Sequence, residues 1–261
     1  PTSVWTSPGP STPNGCERVA AMTASPTYKL EIAADANQLA RHCAERIATL
    51  IDLALDERDR AHIALSGGTT PAAAYRLLNQ EHLPWNRVDV VLGDERWVSA
   101  SDPASNARML RDTLMAEGGP GAQARFHPVP TELETPAASV QAFERYVREL
   151  CPGDPPVFDV MLLGLGDDGH TASLFPGTPA TQERTRLVTI GAGKGLERIS
   201  LTAPVLSAAR QVIFLVSGAA KRQALARLLD PAERPERTPA KLVQPQAPVL
   251  VLADAEAAEG L

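Results

Sequence analysis

Short apolar runs alternate with amphipathic stretches along most of this chain, and several of the runs break off into glycine, hydroxyl and charged residues. The alternation limits the fold. Apolar runs of about five residues are too short for buried helices and fit strands covered on both faces, with the amphipathic stretches as the covering helices. Tyr28–Ile32, His62–Leu65, Val88–Leu92, Val157–Leu163, Gln211–Val216 and Val249–Ala253 read as such strands, with Leu187–Ile190 and Arg198–Leu201 as further ones. Leu39, Cys43, Ile47, Leu50 and Ala54 recur every three or four residues and predict a helix over 35–55. Pro71 opens a second helix, Asn106–Met115 contains a third, Val140, Phe143, Val147 and Leu150 mark a fourth, and another follows Ser217-Gly218 to about Leu229. The pattern predicts a three-layer α/β/α fold with a mostly parallel central sheet. In such folds ligands bind beyond the carboxyl ends of the strands.

Composition narrows the function classes. With 25 Lys and Arg against 31 Asp and Glu, the formal charge is −6. That disfavours a nucleic-acid partner, which needs a basic surface, yet leaves room for a local basic pocket. No apolar run approaches the roughly 18 residues of a membrane span, and the amino-terminal segment lacks a basic start and an apolar stretch. Cys16, Cys43 and Cys151 are far apart with no CxxC pair, so neither a disulfide framework nor a structural zinc site is expected, and a reducing cytoplasm is the simplest compartment. Residues 1–25, rich in Pro, Ser, Thr and Gly, read as a disordered extension in which Met22 is a candidate start, and residues 26–261 as a single catalytic domain.

Four strands end in clusters able to carry chemistry. Ser66-Gly67-Gly68-Thr69-Thr70-Pro71 lies between a strand and a helix, where glycines let backbone N–H groups approach an anion and the helix end adds a positive dipole. It is neither a Walker A loop nor GxGxxG, so a nucleotide is disfavoured, and a plain capped turn has the same signature. Asp94-Glu95-Arg96 follows the next strand. Arg96 can fork onto a phosphate or join an internal salt-bridge cluster, and Trp97 reads as packing. The most informative segment is Gly164-Leu165-Gly166-Asp167-Asp168-Gly169-His170, where His170 is a candidate general base and Asp168 a partner for its second ring nitrogen. Such a carboxylate is expected to raise the pKa of His170. His42, His62, His82 and His127 lack such surroundings and read as structural or exposed. Lys221, in the helix after Ser217-Gly218, and Arg198 are candidate counter-ions for a phosphate, or simply solvated residues. A metal site would need more convergent ligands than the sequence offers.

Taken together, these segments resemble the 6-phosphogluconolactonase family of the glucosamine-6-phosphate isomerase superfamily. The resemblance is carried by Leu65–Pro71, Gly93–Val98 with Ser105-Asn106, Leu163–Gly177, Arg198–Thr202 and Val216–Lys221, in the family order over about residues 28–255. One departure is Ser99, where the family often has Pro. The resemblance implies a cytoplasmic, cofactor-free hydrolase of the pentose phosphate pathway that opens 6-phospho-D-glucono-1,5-lactone, with the fold shared by glucosamine-6-phosphate deaminases and ribose-5-phosphate isomerases. It implies His170 and Asp168 as the catalytic pair. As substrate- and phosphate-binding positions it gives Ser66, Gly67, Gly68, Thr69, Asp94, Arg96, Gly166, Arg198 and Lys221, with no metal. The expected partner is the small sugar-phosphate lactone, with no nucleic acid or membrane, on a monomer or weak homo-oligomer.

In the expected chemistry, His170 takes a proton from water as it attacks the lactone carbonyl, and glycine-loop N–H groups stabilise the oxyanion. The main rival is a sugar-phosphate isomerase or deaminase, in which Asp94 shuttles a proton. The aromatic neighbours usual around Asp-Glu in that family are missing here. A non-enzymatic sugar-phosphate regulator would carry a DNA-binding module, and no helix-turn-helix or basic segment is evident.

Overall fold

The computed structural model describes residues 26–261, so the expectation for residues 1–25 lies outside the described residues. The chain builds a seven-stranded sheet in the order β1-β10-β9-β6-β2-β3-β5, with every pairing parallel. Its strands are β1 Tyr28–Ala33, β2 Ala61–Leu65, β3 Val88–Leu92, β5 Arg125–Phe126, β6 Val160–Gly164, β9 Gln211–Val216 and β10 Val249–Asp254.

Both faces of this sheet are buried, and the two-residue strand period decides which side chain goes where. Val160 and Leu162 of β6 face one core with Ile213 and Leu215 of β9, while Met161 and Leu163 face the other with Val212, Phe214 and Val216. The first core is covered by α1 Ala36–Glu57, α2 Thr69–Leu78 and α3 Asn106–Arg111, which contribute Leu39, Cys43, Ile47, Tyr75, Leu78 and Leu110. The second is covered by α4 Pro136–Leu150, α5 Ala203–Ala208 and α6 Arg222–Leu229, through residues such as Phe143, Val147, Leu206 and Leu225. The three-layer α/β/α expectation holds. Among the described residues no helix is long and apolar enough to cross a membrane, and Cys43 and Cys151 are free and buried.

Several boundaries differ from the sequence reading. The sixth strand begins at Val160 rather than Val157, because Val157 N–H closes a turn onto Pro152 O at 2.9 Å instead of joining the ladder. Helix α2 starts at Thr69, two residues before Pro71, with Gly68 as its N-cap. Helix α3 stops at Arg111 because the chain beyond it turns, and Asn79 Nδ2 collects the carbonyls of Thr113, Leu114 and Ala116 within 3.0 Å.

A larger difference is a second sheet, absent from the sequence reading. Asp94–Arg96, read from the sequence only as a charged cluster following a strand, is strand β4 and pairs antiparallel with β8 Leu196–Leu201, which in turn pairs with β7 Val188–Gly193. This register sets Arg96 opposite Arg198 and Asp94 opposite Ser200.

The strand order also fixes where a site can form. From β2 the chain adds β3 and β5 on one side, and β6, β9 and β10 lie on the other, so the direction of winding reverses between β6 and β2. The loops after β9, β6, β2 and β3 carry the four clusters read from the sequence, and these strands are consecutive neighbours in the sheet. The switch point of an open α/β sheet is where its crevice lies.

Candidate active site

A cleft of about 190 Å³ lies at this position, lined by residues of all four strand-end segments, of Arg198 on β8 and of Lys194 between β7 and β8. It gathers Ser66, Gly67, Asp94, Arg96, Gly166, His170, Arg198 and Lys221 from the sequence-derived set. Gly68, Thr69 and Asp168 do not line it. Gly68 and Thr69 form the exposed start of α2, and Asp168 is bonded to the ring of His170.

The loop after β2 is held by a tyrosine. Tyr75 Oη donates to Ser66 O at 2.8 Å and accepts from Ser66 N–H at 3.1 Å, which fixes the backbone while the Ser66 hydroxyl is buried without a partner. Gly67 packs so tightly that a Cβ there would sit 1.9 Å from Asn106 Oδ1. Asn106 in turn donates from Nδ2 to Asp94 O at 2.9 Å, which ties the loop after β2 to the segment after β3. Among the described residues no side chain caps the first turn of α2.

The salt-bridge cluster that the sequence also allowed is reduced, among the described residues, to one buried pair, Asp94 with Arg198 of β8. Glu95 is 1% exposed and accepts the N–H groups of Arg96, Asn106 and Ala107 and the Ser105 hydroxyl at 2.7–3.1 Å, so it caps α3. Burial pushes its carboxyl above the usual range despite those donors. Arg96 reaches the Ala104 carbonyl through Nη1 and makes no ion pair among the described residues. Asp94 accepts the Ser173 hydroxyl at 2.5 Å and lies 3.7 Å from Arg198 Nη1. Trp97 packs against the second core, as expected.

Arg198 is the most informative cation. It is 7% exposed, lies over the Phe175 ring at 5.4 Å and makes no side-chain hydrogen bond among the described residues. Burial depresses its pKa, against the pull of Asp94. Nε of Arg96, Nε of Arg198 and Oγ of Ser66 are all buried beside one cleft with no partner among the described residues. Buried polar groups are almost always satisfied, so three orphans converging on a cation-lined cleft mark it for an anionic ligand.

His170 stands on the other side. Its Nδ1 donates to Asp168 Oδ1 at 2.5 Å, and the same oxygen accepts the His170 backbone N–H at 3.0 Å. The ring stacks on Phe175 with centroids 4.3 Å apart, and Gly166 has no room for a side chain, since a Cβ would lie 2.0 Å from His170 Nδ1. Burial lowers the pKa of His170 below its ordinary 6.5 and outweighs the hydrogen bond and charge of Asp168, which pull it up. The expected upward shift is therefore corrected: the ring is too desolvated for one half-exposed carboxylate to win. Asp168 itself falls below the usual carboxylate range, since the His170 donors and charge outweigh burial.

The loop N–H groups are less available than the sequence suggested. Gly166 N–H donates to His170 O at 2.8 Å, Gly169 N–H to Gly166 O at 3.0 Å, and His170 N–H to Asp168. Three N–H groups of the 164–170 loop are spent on holding its shape.

Sequence reasoning missed Lys194, which lines the cleft, and Asp254, whose carboxylate accepts Ser217 Oγ at 2.5 Å and Gly218 N–H at 3.0 Å and so fixes the loop bearing Lys221. The remaining histidines are elsewhere; His127 Nε2 donates to Asp89 Oδ1 at 2.7 Å near the amino end of β3. Among the described residues no three His, Cys, Asp or Glu side chains converge as metal ligands.

An open parallel sheet with a histidine–aspartate pair and four cations at its switch point belongs to the α/β enzymes that act on small anionic substrates. The chain is a member of one family within that class, described as "Glucosamine-6-phosphate isomerases/6-phosphogluconolactonase", whose profile matches residues 34–252. It is 42% identical to a 6-phosphogluconolactonase of Synechocystis sp. over 218 residues, covering 82% of this chain and 90% of that protein. Its fold matches the 6-phosphogluconolactonase structure from Trypanosoma brucei with a TM-score of 0.80 and 29% identity, over 91% of this chain and 100% of that one. A monomeric glucosamine-6-phosphate deaminase matches with a TM-score of 0.74 at 23% identity, over 88% of this chain and 98% of that one, a likeness of fold alone.

Proposed function

We propose that this chain hydrolyses 6-phospho-D-glucono-1,5-lactone to 6-phospho-D-gluconate, as a carboxylic ester hydrolase of the pentose phosphate pathway. The curated relatives that share most of its length carry that activity in their names. The observation that carries the mechanistic reading is the His170–Asp168 pair facing a cleft lined by Arg96, Arg198, Lys194 and Lys221.

His170 donates Nδ1–H to Asp168, which leaves Nε2 as the free base. Nε2 takes a proton from water as the water oxygen attacks the lactone carbonyl, and Asp168 stabilises the imidazolium that forms. The same proton then goes to the ring oxygen as its bond to the carbonyl carbon breaks, which gives the acid and the C5 hydroxyl. No covalent intermediate is needed. Ser66, Gly67, Arg96 and Lys221 hold the phosphate and set the carbonyl against the water, while Gly68 and Thr69 shape the loop behind them as the start of α2. Asp94, Gly166 and Arg198 complete the binding set, with Gly166 as the surface on which the imidazole rests. Catalysis belongs to residues 26–261 as one unit, since every residue named comes from the loops at the ends of one sheet or from the small sheet beside it. A cytoplasmic monomer or weak homo-oligomer fits this reading, and the free Cys43 and Cys151 support a reducing compartment.

The isomerase or deaminase reading would use Asp94 as a proton shuttle; Asp94 lines the cleft with Oδ2 accepting from Ser173 Oγ, so activity decides between the readings. Purified chain should open fresh 6-phosphogluconolactone far above the spontaneous rate and leave glucosamine 6-phosphate unchanged. Release of ammonia from glucosamine 6-phosphate with no effect on the lactone would reverse the assignment.

A further inference from the structure

Lys194 sits where a lysine is not expected. Strands β7 and β8 close at the Gly193–Leu196 pair, leaving Lys194-Gly195 as a two-residue turn with φ of 54° and 78°. Positive φ at both positions is the type I′ requirement, ordinarily met by Asn, Asp or Gly. A lysine there costs backbone energy, and such strain gathers where a side chain is needed.

The hairpin tip is fitted to the histidine side of the cleft. A Cβ on Gly193 would lie 2.5 Å from the Phe175 ring, so backbone and ring are in close contact, and the same ring stacks on His170 at 4.3 Å. Lys194 lines the cleft, and its Nζ lies 3.5 Å from Asp167 Oδ1, three residues before His170. Both side chains are more than half exposed, at 57% and 62%, so the contact is a weak tether that a substrate can break. Arg96 is held on a different segment, beside Ala104 and the contact of Asn106 with Gly67. The cleft thus draws cations from separate segments, with Lys194 the one on the hairpin packed against the His170–Phe175 rings.

We infer that Lys194 is a catalytic residue at the lactone end, where its ammonium leaves Asp167 to stabilise the oxyanion on the carbonyl oxygen and then the carboxylate of the product. The inference rests on the lactonase reading and deepens it. It adds a full charge beside a loop in which the N–H groups of Gly166, Gly169 and His170 are spent internally. The ammonium gives up no proton; it adds charge where the carbonyl becomes negative. It also acts on His170. The charged groups around that ring and its cleft are Asp168 on its own loop, Asp94 and Arg96 on β4, Arg198 on β8, Lys221 after β9 and Lys194, and the last disfavours a protonated imidazole.

The test compares wild type, Lys194→Met and Lys194→Arg on 6-phosphogluconolactone and on unphosphorylated glucono-1,5-lactone, with spontaneous opening subtracted. Lys194→Met should lower kcat/KM about a hundredfold on both substrates, Lys194→Arg should recover most of the loss, and the acid limb of kcat in Lys194→Met should move to higher pH. Inhibition by gluconate should weaken along with that by 6-phosphogluconate. A loss confined to the phosphorylated substrate would make Lys194 a phosphate ligand and overturn the inference, as would near-normal kcat/KM on both. Wild type inert toward both lactones would instead overturn the lactonase reading itself.

Discussion

Asp168 Oδ1 holds His170 twice, at the ring Nδ1 2.5 Å away and at the backbone N–H 3.0 Å away. One carboxylate oxygen therefore sets the tautomer, the ring orientation and the local backbone together. Asp168→Asn keeps the size of the side chain and removes the charge. It should lower kcat about a hundredfold, because the imidazolium of the transition state loses its counter-ion. The carboxylate pulls the His170 pKa up, so its loss should move the acid limb of kcat to lower pH. A pH–rate profile of the variant checks both, and an unmoved limb would show that Asp168 acts on the backbone only.

Arg96→Ala tests the proposed phosphate contact. Loss of one charged hydrogen bond to a phosphate is worth about 2 kcal/mol, roughly thirtyfold in kcat/KM. The loss should fall on 6-phosphogluconolactone and be small on unphosphorylated glucono-1,5-lactone. Equal losses on both would mean that Arg96 serves the protein through its bond to Ala104 and not the substrate.

Gly166→Ala tests the platform under the ring. The added methyl would lie 2.0 Å from His170 Nδ1 and 2.6 Å from Asp168 Oδ1, so the pair has to move. Displacing a catalytic group by about 1 Å costs about a hundredfold. We expect a large fall in kcat, a modest change in KM and thermal unfolding close to that of wild type. A near-normal kcat would show that the pair tolerates displacement.

The sequence revealed the site in proportion to how local its interactions are. The four strand-end clusters stood out because apolar strands broken by glycine and polar residues are a short-range pattern, and Asp168 reaches His170 across only two residues. Strand β4 was hidden because it is three residues long and charged, and only its pairing with Arg198–Ser200 makes it a strand. Asp254 was hidden because its partners, Ser217 and Gly218, lie 37 and 36 residues away. Lys194 was hidden because Gly191, Gly193 and Gly195 mark a turn but not where its tip points, which depends on the packing of Gly193 against Phe175. The direction of the His170 shift depends on how deeply the ring is desolvated, which only tertiary packing decides.

The central claim is that neutral His170 is the general base, and kcat against pH for wild type and His170→Ala tests it most directly. Burial holds the pKa below its ordinary 6.5, so wild-type kcat should be level through neutral pH and fall only as pH drops through that lowered value. His170→Ala should lose roughly a hundredfold or more in kcat with little change in KM or thermal unfolding, and its residual rate should lack that acid limb. A folded His170→Ala protein with near-normal kcat and the wild-type acid limb would contradict the account and leave His170 a structural residue of the loop.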